Sequence, residues 1–315
     1  MKKFDFIESR KYFFIFTILL FVFFAVMAII NGVTLDINFK GGTRLSVEIT
    51  GEADPNVAGI LVEEAIGKKA SASIMETYSA DAGAESTKML RIDIAGNEPL
   101  TPEEEDKVKE VLTSNFNVNL NSNKNENVSI QPSIGREALN KGILAVMISV
   151  VLILFYVAWR FSILSGFPAA ICAIIALIHD VGVMFGVYII FKLPLNDIFI
   201  ATVLTVIGYS MNDTVIIYDR IRENTGIMRK SDLRSIVNVS IYESLTRTIH
   251  TMMTTLICVA VLLIFSVNHN ISSLVDFSFS LLIGVISGAY STLFIATQLW
   301  VLWKERKMKA AIKKA

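Results

Sequence analysis

Six apolar runs constrain this chain more than any other feature. They lie near Tyr12–Asn31, Leu139–Ala158, Ile163–Phe191, Leu195–Tyr218, Thr248–Val267 and Phe277–Trp303. A helix needs about 20 apolar residues to cross a hydrocarbon core of ~30 Å. Each run meets that length, and in lipid only helices and closed barrels satisfy their own backbone. The expected fold is a polytopic α-helical membrane protein of six transmembrane helices. The positive mean hydropathy and the 18% of charged residues agree with this, and argue against a soluble enzyme. Lys2 and Lys3 precede the first run, as in a signal peptide, but the run is too long for one and no A-x-A-like site follows. An uncleaved anchor is expected.

Lys and Arg set the orientation. Lys2, Lys3, Arg10 and Lys11 precede the first span, and Arg160 separates spans two and three. Arg220, Arg222, Arg229, Lys230 and Arg234 separate spans four and five, and a basic tail over 304–315 follows span six. If the spans alternate, all of these fall on one side, while the opposite short loops carry only Lys192. Both termini are expected to be cytoplasmic, in a cell membrane. The expected divisions are 1–31 for the N-terminus and first helix, 32–138 for an outer domain, 139–303 for helices two to six, and 304–315 for the tail.

The outer segment reads as strands and helices in the order β-α-β-β-α-β, a small α+β, ferredoxin-like module between helices one and two. Its strands are expected at Arg44–Ile49, Ala72–Tyr78, Met89–Ile94 and Val128–Gln131, with a loop over Asn115–Asn127. Pro55–Lys68 has helical apolar spacing, and Thr101-Pro-Glu-Glu104 is a capping box with proline at the first helical position. Asp36-Ile-Asn-Phe-Lys-Gly-Gly-Thr43 opens the domain, and Gly41, Gly42 and Thr43 mark a tight turn or a close backbone approach. No spacing for a nucleophile, metal or phosphate loop occurs, so a binding or lever domain is expected. No enzyme activity, metal or bound cofactor is expected of the chain.

Ionisable residues inside spans are costly and default to functional candidates. Asp213 sits within span four, in the run Gly208–Asn224. Arg247 opens span five, toward the same cytoplasmic side. The two can pair, and with Asn212, Thr214, Thr251, Thr254 and Thr255 they define a polar seam between spans four and five. The structural alternatives are a static Asp213–Arg247 bridge and threonines bonded to their own backbone. His179-Asp180 in span three is either a locking pair or a relay. Gly182 and Gly186, and Gly284 and Gly288, form small-xxx-small stripes for helix packing. Asp219, Arg220, Arg222 and Glu223 read as a solvated or headgroup-facing helix end. Cys172 and Cys258 read as buried hydrophobes.

The residues Asp36–Thr43, Gly208–Asn224 and Ser244-Leu-Thr-Arg-Thr248 with Thr251, Thr254 and Thr255 resemble the SecF members of the bacterial SecDF protein-export family, within the resistance-nodulation-division superfamily. The six spans with one large outer loop, His179-Asp180 and Gly284…Gly288 match as well. The resemblance covers nearly the whole chain and is most specific over Gly208–Asn224. It implies an accessory subunit of the protein translocase. Its partners would be a SecD chain, which completes a twelve-helix bundle, the SecYEG channel and the exported polypeptide, within membrane lipid and without nucleic acid. It implies that Asp213 carries the coupling ion, H⁺ or Na⁺, with Arg247 as its partner. Met252, Met211 and a glycine-free loop at Asn268–Ser273 depart from the family pattern. A coupled exporter of small molecules or lipids, an intramembrane hydrolase and a passive scaffold remain the alternatives.

Overall fold

The computed structural model describes residues 5–51, 53–77, 87–96, 99–123, 125–164, 166–269 and 271–312. Lys2, Lys3, Tyr78, Lys313 and Lys314, used in the sequence reading, lie outside these residues. Six helices are long and apolar enough to cross a membrane. They are α1 (Arg10–Asn31), α5 (Pro132–Arg160), α6 (Gly166–Ile190), α7 (Asp197–Ile227), α8 (Leu233–Asn268), and α9 (Ser272–Ser291) continued through a π-helical segment (Thr292–Ala296) into α10 (Thr297–Ile312). Between α1 and α5 lie α2 (Ile37–Lys40), β1 (Gly42–Ile49), α3 (Pro55–Ile66), β2 (Ala70–Thr77), β3 (Thr87–Ala95), α4 (Pro102–Asn115), β4 (Val118–Asn119) and β5 (Glu126–Ile130).

Hydropathy locates the spans but misplaces their ends. Helix α5 begins seven residues before the expected Leu139, α8 begins fifteen before Thr248, and α7 runs nine past Tyr218. Apolar character stops at the membrane surface, whereas backbone hydrogen bonding continues until a cap or a proline ends it. Asp232 caps α8 by accepting from the Ser235 amide, and Asn196 caps α7 by accepting from the Phe199 amide.

The outer sheet is antiparallel throughout. β1 pairs with β3 on one side and with β4 and β5 on the other, and β3 pairs with β2. The inward residues Leu45, Val47 and Ile49 of β1 and Leu90, Ile92 and Ile94 of β3 bury against Ala58, Val62, Val108 and Leu112 of α3 and α4. This follows from the period-two alternation meeting two helical stripes. The capping box at Thr101 forms, with the Glu104 amide on the Thr101 hydroxyl and the Glu104 carboxylate accepting from the Thr101 amide. Asn115–Asn127 is not a simple loop: α4 ends at Asn115, and β4 pairs with Glu48 and Ile49.

Inside the bundle, the glycine stripes are contact faces. A Cβ at Gly182 would lie 2.6 Å from the Phe21 ring, and one at Gly186 would lie 2.3 Å from the Phe24 ring. A Cβ at Gly284 would lie 2.2 Å from Val206, and one at Gly288 would lie 3.0 Å from the Ser210 Cβ. The first pair therefore admits α1 against α6, and the second admits α7 against α9. Cys172 is buried, but Cys258 is exposed. It projects from α8 toward the bundle's surroundings and not into its core.

Candidate functional site

Helix α7 carries two polar groupings with opposite character. The first centres on Asp180 of α6, which is 1% exposed. Its Oδ1 accepts from the Ser287 hydroxyl at 2.7 Å and lies 3.3 Å from His179 Nδ1. Its Oδ2 accepts from the hydroxyls of Ser210 (2.7 Å) and Ser291 (2.8 Å). Three helices thus converge on one carboxylate. The His179 ring packs between Phe21 and Tyr290, with centroids 5.5 and 5.6 Å away, and its buried Nε2 has no hydrogen-bond partner.

A ladder of hydroxyls continues from this cage. Thr214 donates to the Ser210 carbonyl at 3.2 Å and lies 2.9 Å from the Thr292 hydroxyl, at the start of the π-helical segment. Thr214 was expected in the seam with α8, and the structure instead points it at the last span. Helical phase explains the difference. Thr214 follows Ser210 by four residues, so it shares the α9-facing side.

The second grouping surrounds Asp213, also 1% exposed. Neither of its carboxylate oxygens has a hydrogen-bond partner. Tyr209, one turn before Asp213, meets Thr255 of α8, and the buried Thr248 Oγ1 has no hydrogen-bond partner. Among the described residues, no ion pair within 4.0 Å joins Asp213 to Arg247, so the static bridge is not formed. Arg247 is near enough for its charge to act on Asp213. Its side chain lines an open polar cavity of about 500 Å³ with Asn212, Ser244, Tyr156, Arg160 and Glu243.

Two of the three α8 threonines turn back on their own helix, while Thr255 meets the Tyr209 hydroxyl of α7. Thr251 donates to the Arg247 carbonyl at 2.9 Å, and Thr254 donates to the His250 and Thr251 carbonyls, both at 2.9 Å. Thr205 on α7 likewise donates to Ala201. Thr255 is half-buried on the same stretch of α8. Asn212, Thr205, Arg247 and Thr254 are exposed on the outer surface of α7 and α8, at the depth of the spans.

The charged end of α7 is more than a solvated face. Asp219 accepts from Arg160 of α5 at 2.9 Å and from Arg222 at 2.7 Å. Arg220 pairs with Glu223 and, at 2.7 Å, with Glu243 of α8. These pairs tie three helices around the mouth of the cavity below Asp213.

Sequence reasoning missed Ser210 and undervalued Asp36. Ser287 and Ser291, four residues apart, were the available signal that a helix presents hydroxyls to a buried acceptor. Asp36 is 5% exposed and accepts from Arg44 at 3.1 Å and from Arg91 at 3.4 Å. Asp93 binds the same two arginines, at 2.6 and 3.0 Å. Burial alone would raise the Asp93 carboxyl, but the bonds from Arg44 and Arg91 outweigh it and hold it below its ordinary value.

The molecule is therefore a multi-pass membrane protein with one α+β unit between its first and second spans and an unpaired carboxylate buried in its fourth span. Residues 108–306 match the family model "Protein export membrane protein SecD/SecF, C-terminal". The chain belongs to that SecD/SecF family. It is 30% identical to Alicyclobacillus acidocaldarius SecF over 98% of the chain and 96% of that protein. It is 32% identical to Bacillus subtilis SecDF, of which it spans 39%. A crystal structure of Thermus thermophilus SecDF, a translocon-associated membrane protein, superposes with a TM-score of 0.77 at 28% identity, over 96% of this chain and 39% of that one. The chain thus matches whole SecF proteins and well under half of the longer SecDF proteins.

Proposed function

We propose that this chain is an accessory subunit of the protein translocase that assembles with a SecD chain and uses an ion gradient to assist late export of polypeptides. The observation that carries the reading is Asp213, buried at membrane depth with both oxygens unpartnered. An unsatisfied buried carboxylate destabilises the fold, so its retention calls for a use beyond packing. The exposed polar face of α7 and α8 supports a second helical bundle there, because polar side chains at that depth face protein or water and not lipid. The SecDF relatives carry the additional length in which such a bundle would reside.

Ionised, Asp213 is attracted toward Arg247; protonated, it is not. The two states favour two packings of α7 against α8, which is what a coupled switch requires. The polar cavity at Arg247 offers the cytoplasmic route, with both termini on that side by the Lys and Arg bias. One charge crossing the potential supplies ~2.3 kcal/mol per 100 mV, enough to bias a domain's position but not to pull steadily in one step. Ratcheting of the outer unit, read as a ferredoxin-like lever spanning 32–138, is the form that fits this magnitude. Proton and sodium both satisfy the chemistry of a lone carboxylate. His179 and Asp180 are assigned to locking the bundle, because the Asp180 oxygens are already saturated with donors.

The test is precursor-to-mature conversion of a secreted protein in cells depleted of this chain. The expected outcome is that Asp213→Asn reaches wild-type abundance and co-purifies with its partner, yet precursor accumulates. Full restoration of export by that variant would reduce Asp213 to a packing residue.

A further inference from the structure

The motif Asp36–Thr43 has no part in the ion site, yet it touches α5, the start of α7 and the turn before it, and the sheet. The Asp36 amide donates to the Leu195 carbonyl at 2.9 Å, and the Leu195 amide donates to the Thr34 carbonyl at 2.9 Å, which makes a parallel bridge between Leu35 and Leu195. Thr34 Oγ1 donates to the Leu193 carbonyl at 3.0 Å, and Asn38 Nδ2 donates to Asp197 Oδ1 at 3.1 Å. Leu195 is followed directly by Asn196, the cap of α7, whose Nδ2 donates to Asp276 Oδ2 of α9 at 2.9 Å.

The other faces of α2 are gripped as closely. A Cβ at Gly41, where φ is +81°, would lie 2.7 Å from the Pro132 nitrogen at the start of α5. A Cβ at Gly135 in α5 would lie 2.8 Å from the Phe39 carbonyl oxygen, and one at Gly42 would lie 2.2 Å from the Ile94 carbonyl oxygen in β3. The glycines are needed because backbone meets backbone on both sides of this turn. The Asp36 carboxylate completes the contact. It accepts from the Asn38 amide at 2.9 Å, within its own turn, and from Arg44 of β1 and Arg91 of β3.

We propose that Asp36 is the positioning residue of a rigid joint, through which the outer sheet and helix α7 move as one body. The inference rests on the reading of Asp213 as an ion-coupled residue, and it gives that residue a mechanical output. Asp213 lies sixteen residues along α7 from Asp197, or ~24 Å at 1.5 Å per residue. A shift of α7 at Asp213 then reaches Leu195 along a continuous helix and passes to the sheet through the paired backbone and the Asp36–arginine contacts. The arginines keep Asp93 as a partner when Asp36 is neutralised, so the joint can be cut without dismantling the sheet's own ion pairs.

The experiment places spin labels at Ile60→Cys in α3 and Ile227→Cys at the far end of α7, both exposed positions outside the polar face of α7 at membrane depth, in a Cys172→Ala, Cys258→Ala background. The full chain is measured in membranes with its partner. The parent is expected to give one narrow distance distribution. Asp36→Asn is expected at least to double its width, whereas Asp93→Asn leaves it narrow. In the export assay, Asp36→Asn should match wild type in abundance and lose conversion several-fold. A distribution that stays narrow in Asp36→Asn overturns the joint, as does equal broadening by Asp93→Asn. If Asp36→Asn broadens the distribution but exports normally while Asp213→Asn does not, transmission through Asp36 is wrong and the export reading stands. If both variants export normally, both proposals fall.

Discussion

Asp180 and Asp213 are two carboxylates of one membrane bundle, equally buried and on adjacent helices, with opposite surroundings. Asp180 receives three serine hydroxyls and a histidine ring, whereas Asp213 receives nothing. In a low-dielectric interior a satisfied polar network rigidifies and specifies packing, and an unsatisfied group is a source of instability. One carboxylate therefore holds α6, α7 and α9 together. In the proposed function, the other is the group that changes state. Burial alone does not tell a lock from a switch; the count of donors does.

That contrast is broken most sharply at Asp180. Asp180→Ala leaves three buried hydroxyls without their acceptor, and at about 1–3 kcal/mol for each unsatisfied buried donor a loss of at least ~3 kcal/mol is expected. Membrane abundance and thermal inactivation of the purified protein would register it, with the chain scarcely accumulating. A weaker perturbation of the same core is Gly186→Leu. It drives a side chain into the Phe24 ring, and about 1–3 kcal/mol of overpacking is expected, read as a lower midpoint in the same thermal assay.

Acid should act on the sheet between α1 and α5. Asp93 is held below its ordinary carboxylate value, so its contribution is complete above about pH 4 and disappears as pH falls through the lower folded value. Protease resistance of the outer unit is expected to decline only in that acid range, and Asp93→Asn should flatten the decline. The smallest effect belongs to the switch region. Asp213→Asn replaces an unpartnered buried carboxyl, and Thr254→Val removes a hydroxyl bonded only to its own helix. Both are expected to leave stability within about 0.5 kcal/mol of the parent or raise it slightly. A large stability loss in Asp213→Asn would mean that Asp213 is a second lock.

The glycine stripes show why some of this was legible in advance. Gly182 and Gly186, and Gly284 and Gly288, are spaced for close helix approach, and spacing alone points to contact. What approaches was not legible. The phenylalanines of α1 fill the first stripe, while Val206 and Ser210 of α7 meet the second. Threonine spacing on α8 told only part for the same reason: Thr255 meets Tyr209 of α7, but the other two bond within their own helix. Thr251 and Thr254 share a face by helical phase, but hydroxyls on a helix can turn back to their own carbonyls, and these do.

The sequence by itself determined what depends on one residue or one period: six spans from run length, four strands and two helices of the segment between α1 and α5 from alternation and capping, though not α2 or β4, and two costly carboxylates from their place in apolar runs. Tertiary structure decided what depends on partners distant in the chain. Ser210, Ser287 and Ser291 meet Asp180 from 30 to 111 positions away, and Asp36 meets Leu195 across 159. Hydropathy is a property of a residue in its segment, whereas satisfaction of a buried group is a property of the packed assembly, and only packing separates Asp180 from Asp213.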